Sequence, residues 1–237
     1  MAILRTPSTT ANADNTAALY PNRTGPYGEA YTVPLGIGRY NLAEEGSYFT
    51  ALNATLSTEI AGHAAPAIGD EATKPLVYLY NGGTKYIGID YITLRTDTPN
   101  ASSTASYFVA SVTAELSRDS GGTAITPQNV RSDNPITSGA TIYFGAVVCT
   151  PSASRRVGQV LARSVIAVAE DQYHFQFGNG VGLSGFAVST GTTQTDRLCS
   201  MPPVVIAPGG ELLFTLIAPS GASTAWDGEI MMGYWER

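Results

Sequence analysis

The chain reads as an all-β protein, and three observations lead to that reading. Charged residues make up only 14% of it, while 25 glycines, 14 prolines and many Thr, Ser and Ala stand in place of the Glu, Lys and Leu that helices draw on. Apolar residues come in short runs of period two, separated by Gly- and Pro-containing breaks. The third observation is the closing stretch, Met201 to Arg237. Val204, Val205 and Ile206 lead into a Pro208-Gly209-Gly210 turn, an apolar run follows from Glu211 to Ala218, and Pro219-Ser220-Gly221 breaks it. From Trp226 to Trp235 the even positions Trp226, Ile230, Met232 and Tyr234 share one face with Gly228 between them, while Asp227, Glu229 and Met231 point the other way. A final strand with one apolar face has to pack on a sheet, so the fold is expected to close only when that strand docks.

In chain order, residues 1–45 come first and hold no sustained period, being rich in Thr, Asn, Pro, Gly and Tyr. Such a segment buries too little apolar area to offset its ordering entropy. Yet Tyr20, Tyr27, Tyr31, Leu35, Ile37 and Tyr40 are more large side chains than an idle tail carries. An extended arm lying on a neighbouring surface, its own domain or another subunit, is preferred over a disordered tail, and these six residues are its candidate interface.

The folded domain is read as 46–237. Ser47 to Ile60 is strand-like and Ala61 to Lys74 a loop. Pro75 to Asn81 is a compact strand apolar on both sides, so it is expected to be covered on both faces. Tyr86 to Thr96 is apolar at Ile87, Ile89 and Tyr91, then at Ile92 and Leu94. That slip of phase near Asp90-Tyr91 calls for a β-bulge or for a strand passing between sheets. Asp97 to Ala105 is a polar turn. Ser106 to Leu116 alternates with Phe108, Ala110, Val112, Ala114 and Leu116 inward; Gly121-Gly122 follows, then a short run, Thr123 to Val130. Ile142, Phe144, Ala146 and Val148 make the next inward face. Val157 to Ala169 admits a helix, but its β-branched content favours a strand. Tyr173, Phe175 and Phe177 alternate with His174 and Gln176, and Val181 to Ser200 holds one short strand around Phe186 to Val188 and a Thr-rich loop. About eight to ten strands with long connections between tight hairpins point to a jelly-roll-like antiparallel β-sandwich.

Composition also bounds function. A net charge of −6 and a pI near 4.8 argue against nucleic acid as a partner, since phosphate binding needs clustered Lys and Arg. The start of the chain is neither a signal peptide nor a membrane span, so synthesis and folding in a cytoplasm, with no membrane partner, are expected. Cys149 and Cys199 then read as two buried free thiols in preference to a disulfide.

Any histidine-dependent mechanism must use His63 or His174, the only two histidines. His174 lies on the polar face of an aromatic strand. His63 sits in an Ala/Gly/Pro stretch near Asp70 and Glu71 but lacks a spaced partner. Gly182-Leu183-Ser184-Gly185 stops one position short of a nucleophile elbow, and the glycines around it lack a following helix to hold phosphate. Asp70-Glu71, Glu44-Glu45 and Glu170-Asp171 are adjacent carboxylates whose side chains diverge if extended, and they read as solvated turns. No catalytic, cofactor-binding or metal residue is assigned, and no cofactor is expected. The 13 tyrosines are left to packing and, in the arm, to an interface.

Several segments also carry a resemblance. EEGSYFTA (Glu44 to Ala51), IAGHAAP (Ile60 to Pro66), KPLVYLYNGG (Lys74 to Gly83), IDYITL (Ile89 to Leu94), the S-R-x-x-G-G-T-A-x-T-P-x-N-V stretch from Ser117 to Val130, MPPVVIAPGGELLF and the terminal GYWER together resemble a family of tailed-bacteriophage virion structural proteins. The resemblance spans about residues 44–237 and contains no catalytic motif. It implies a non-enzymatic virion component on a jelly-roll-like scaffold, oligomeric, with itself and the major capsid protein or other virion proteins as partners. The leading expectation is a homotrimeric decoration or cement protein on the outer capsid surface. The alternatives are a receptor- or glycan-binding module of a fibre or tail, needing an aromatic shelf near His63, Tyr107 or Trp226, and, last, a polysaccharide hydrolase.

Overall fold

The computed structural model describes residues 38–53, 58–64, 66–98, 106–133, 136–163, 171–178, 185–186, 196–217 and 225–237. Its elements are one short helix, α1 (Gly38–Glu44), and the strands β1 (Tyr48–Leu52), β2 (Ile60–Ala64), β3 (Val77–Asn81), β4 (Ile87–Thr98), β5 (Ser106–Thr113), β6 (Arg118–Ile125), β7 (Gln128–Asn129), β8 (Ala140–Cys149), β9 (Arg155–Arg163), β10 (Gln172–Phe177), β11 (Gly185–Phe186), β12 (Asp196–Met201), β13 (Val205–Ile206), β14 (Glu211–Ile217) and β15 (Ala225–Glu236). Two compact units divide the chain, 1–41 and 42–237. The second is an all-β sandwich of two sheets.

The larger sheet has nine strands in the order β11-β12-β10-β4-β15-β1-β7, with β13 on β4 and β2 on β15; the smaller has six, in the order β6-β8-β3-β14-β5-β9. Pairing is antiparallel except between β10 and β12. The chain crosses between sheets from β3 to β4 and back at β5, and again on either side of β14, the kind of connection a jelly-roll-like sandwich uses. The two twelve-residue strands form the axis of the large sheet. β15 pairs with β4 from Asp227 to Glu236, and its far edge is shared by β2 and β1. Docking of the last strand therefore joins three others.

Alternation accounts for the core. Phe49, Ile92, Leu94, Phe175, Ile230, Met232 and Tyr234 of the large sheet meet Val77, Leu79, Phe108, Phe144, Leu212 and Phe214 of the small one, all nearly without exposed surface. Phe108 sits at the centre, stacked on Phe214 at 5.8 Å and edge-on to Phe175 at 4.8 Å. Burying aromatic rings of this size supplies the main driving force for closing the sandwich.

The slip in β4 is a bulge. Gly233 faces Tyr91 while Tyr234 faces Ile89, so Asp90 is the extra residue and the strand stays in one sheet. Strand β3 is covered on both faces as expected, and Val157–Ala169 is strand where it is described.

Other expectations need correction. Ala61–Ala64 belong to β2 and are not loop. Gly121-Gly122 do not precede the strand but lie inside β6, where a register shift absorbs them. β5 ends at Thr113, leaving Leu116 64% exposed. In β8 the inward face stops at Phe144: Val147 and Cys149 are buried on the opposite face, and Val148 is 39% exposed. The end of the Thr-rich stretch forms β12, and short two-residue strands raise the count to fifteen among the described residues. Residues 38–44, read as part of an extended arm, are helical.

Candidate functional site

The outward residues of β3, β8 and β14 would face solvent in a bare sandwich. Instead Tyr78, Val147, Cys149 and Leu213 form a second apolar cluster, with Ala72, Tyr80 and Tyr143 packed against it. Residues 66–74 cover it through backbone bonds: Cys149 N–H donates to Thr73 O at 2.9 Å, and the Thr215 hydroxyl donates to Glu71 O at 2.8 Å. Asp70 holds this cover in shape, accepting from Ala67 N–H at 2.8 Å and from Lys74 Nζ at 2.9 Å. Burial alone would raise the Asp70 carboxyl, but these bonds and the Lys74 charge outweigh it and hold the group below its ordinary value. Arg156 pairs with Glu71 at the rim.

Beside this cluster Glu211 has no exposed surface. Its carboxylate accepts from the Tyr78 hydroxyl, from Ser117 N–H at 2.7 Å and from Ser117 Oγ at 2.5 Å. Burial first, and then the bond to Glu211, push the Tyr78 hydroxyl well above its ordinary range. Burial likewise pushes the Cys149 thiol up to about 12 and the Cys199 thiol up to about 11, so both stay protonated at neutral pH. Both are free, and they belong to different clusters, Cys149 outside the small sheet and Cys199 between the sheets. The polar group at Glu211 is satisfied and closed to solvent, which makes it a fastening of β3 to β14 and the segment before β6.

His63 lies on β2, where its Nε2 meets Val147 O at 2.5 Å. Gly62, His63, Pro66, Lys74, Leu76, Leu216 and Trp226 line a cavity of about 10 Å³, room for about one water and too little for a substrate. Trp226 itself is core, 3% exposed, with its indole N–H on Thr96 Oγ1 at 3.0 Å, so it offers no shelf. His174 stands on the outer face of the large sheet, as its alternation required, with Nδ1 3.2 Å from Thr93 Oγ1. Among the described residues no three His, Cys, Asp or Glu gather as metal ligands, and no helix is long and apolar enough to cross a membrane.

The better-built feature is the root of the N-terminal segment. Helix α1 is capped by Gly46 in the left-handed region, φ 72°, with Ser47 N–H on Leu42 O at 2.8 Å and Gly46 N–H on Ala43 O at 3.0 Å. These two bonds are a Schellman cap, which needs glycine at that position. Three side chains then hold residues 44–46: Arg131 Nη1 donates to Glu44 O at 2.5 Å, Asn129 Nδ2 to Gly46 O at 2.8 Å, and Arg237 pairs with Glu45 at 3.0 Å. Of the six candidate interface residues, Tyr40 lies on α1 and is 75% exposed; Tyr20, Tyr27, Tyr31, Leu35 and Ile37 lie outside the described residues. The three clamping residues were not singled out from the sequence, because Asn129, Arg131 and Arg237 are 83 to 192 positions from what they hold. Comparison of the chain with protein-family models, with curated proteins and with solved structures gave no match.

Proposed function

We propose that the chain is a non-enzymatic structural subunit of a tailed-bacteriophage virion, a homotrimeric decoration or cement protein of the outer capsid surface whose N-terminal segment fastens it to neighbouring subunits or to the major capsid protein. The observation that carries this reading is the clamped root. A segment whose point of departure is held by Arg131, Asn129, Arg237 and a Schellman cap can transmit load to the sandwich, whereas a tail needs no such anchorage. The exposed Tyr40 and the tyrosines before it supply large contact area with few charges to desolvate, the composition of a protein interface. The resemblance of residues 44–237 to virion structural proteins points the same way.

The test is assembly. Light scattering on the purified chain is expected to give three times 24.8 kDa, and the chain is expected to co-sediment with capsids lacking it. Deleting residues 1–37 should abolish capsid attachment while leaving the thermal unfolding transition of the sandwich in place. A monomer that binds neither itself nor capsids would overturn the reading.

A further inference from the structure

Two glycines on the outer face of the large sheet are each covered by an aromatic ring from the strand opposite. Trp235 of β15 faces Gly88 of β4, and Tyr91 of β4 faces Gly233 of β15. A Cβ on Gly88 would lie 2.0 Å from the Trp235 indole, and one on Gly233 would lie 2.2 Å from the Tyr91 ring. Both rings therefore lie down on bare backbone, Tyr91 brought to its place by the bulge at Asp90. Tyr91 and Trp235 are only half-buried. Gly233 and Trp235 are two residues apart, about 7 Å along the strand, close enough for both rings to meet one short ligand.

Uncharged polar side chains flank this platform. Gln176 of β10 faces Tyr91, and Thr50 of β1 faces Gly233, so an amide and a hydroxyl flank the rings on either side. Of the charged groups nearby, Arg95 pairs with Glu229 at 3.4 Å, and Asp90 is buried and accepts from the Tyr48 hydroxyl at 2.6 Å. A flat aromatic surface edged by amide and hydroxyl groups complements a ligand that has apolar C–H faces and many hydroxyls. A phosphate-bearing chain finds no clustered cations there.

We propose that this face of the large sheet binds a neutral oligosaccharide, its sugar rings stacking on Trp235 and Tyr91 and its hydroxyls meeting Gln176 and Thr50. The proposal does not rest on the capsid reading, and either can fail alone. The two tryptophans allow a direct test by NMR on the full chain, because the Trp226 indole N–H is buried in the core and reports on folding while that of Trp235 reports on the platform. Titration with maltohexaose, cellohexaose and chitohexaose to about 10 mM is expected to move the Trp235 indole and Gln176 amide signals saturably with at least one sugar, leaving Trp226 in place. Trp235→Ala and Tyr91→Ala should each weaken that binding about tenfold or more, and Gln176→Ala, which leaves both rings in place, should weaken it less. Absence of any shift on the unaltered chain, or binding that survives both aromatic substitutions, would overturn the proposal. So would a full chain that self-associates and is dissociated by Trp235→Ala, since the face would then be a contact between copies.

Discussion

At Glu211 a carboxylate without exposed surface accepts three hydrogen bonds from two residues, Tyr78 and Ser117. Replacing it leaves those donors buried and unanswered, a larger effect than the loss of the bonds themselves. Glu211→Ala is therefore expected to destabilise the domain by about 3 kcal/mol or more in urea unfolding, and Glu211→Gln by about 1–3 kcal/mol because an amide turns one donor toward donors. An equal effect of Glu211→Ala and of an exposed substitution such as Lys85→Ala would refute this account. Nothing near Glu211 in the sequence announces the network, since Tyr78 is 133 residues away and Ser117 is 94. Local pattern reads Glu211 as the start of an apolar run; the fold turns it into a buried acceptor. The opposite holds for Tyr173, Phe175 and Phe177, whose alternation with Gln172, His174 and Gln176 is sufficient to tell core from face.

Among the elements, β4 shows how one residue sets a register. Asp90 is the extra residue of the bulge, and it keeps Ile87 and Ile89 on the same side as Ile92 and Leu94. Deleting Asp90 would turn one of these pairs to solvent, so the deletion is expected to give a chain that binds ANS and lacks dispersed NMR signals; a native-like spectrum would show that the bulge can move. The cover at 66–74 is a second element with a definite dependence on conditions. The Asp70 carboxyl is held below its ordinary value of 3.8, so its contribution is complete above about pH 4 and is lost as pH falls through the lowered value. Hydrogen-exchange protection of Cys149 N–H, which bonds Thr73 O, is expected to fall over that acid range, and Asp70→Asn should lower it already at neutral pH. β-strand periodicity disclosed the bulge because both halves of β4 face one core. It could not disclose the reversal in β8, where Val147 and Cys149 are buried only because a segment more than seventy residues earlier folds over them.

Over the whole molecule, the first strand of the sandwich pairs with the last, Phe49 with Tyr234, across nearly the full length of the domain. Pairing at such separation has a high loop-closure cost and is formed late and slowly, with refolding expected on the order of milliseconds to seconds or longer. Since β15 also pairs with β4 and β2, a chain ending at residue 224 is expected to remain unfolded, with no cooperative transition in urea. A truncated chain that melts cooperatively would show that the sheet can close without its axis.

Composition and two-residue periodicity were enough to settle the β class, much of the sandwich core and the place of the last strand in a sheet, because these depend on which side chains alternate along a single stretch. The partition of strands between sheets, the parallel pairing of β10 with β12, the covered carboxylate, the clamped root and the rings laid over Gly88 and Gly233 depend on contacts between segments far apart in the chain. Such contacts leave no mark in local sequence, since any stretch is compatible with many neighbours and only closure of the sandwich selects among them.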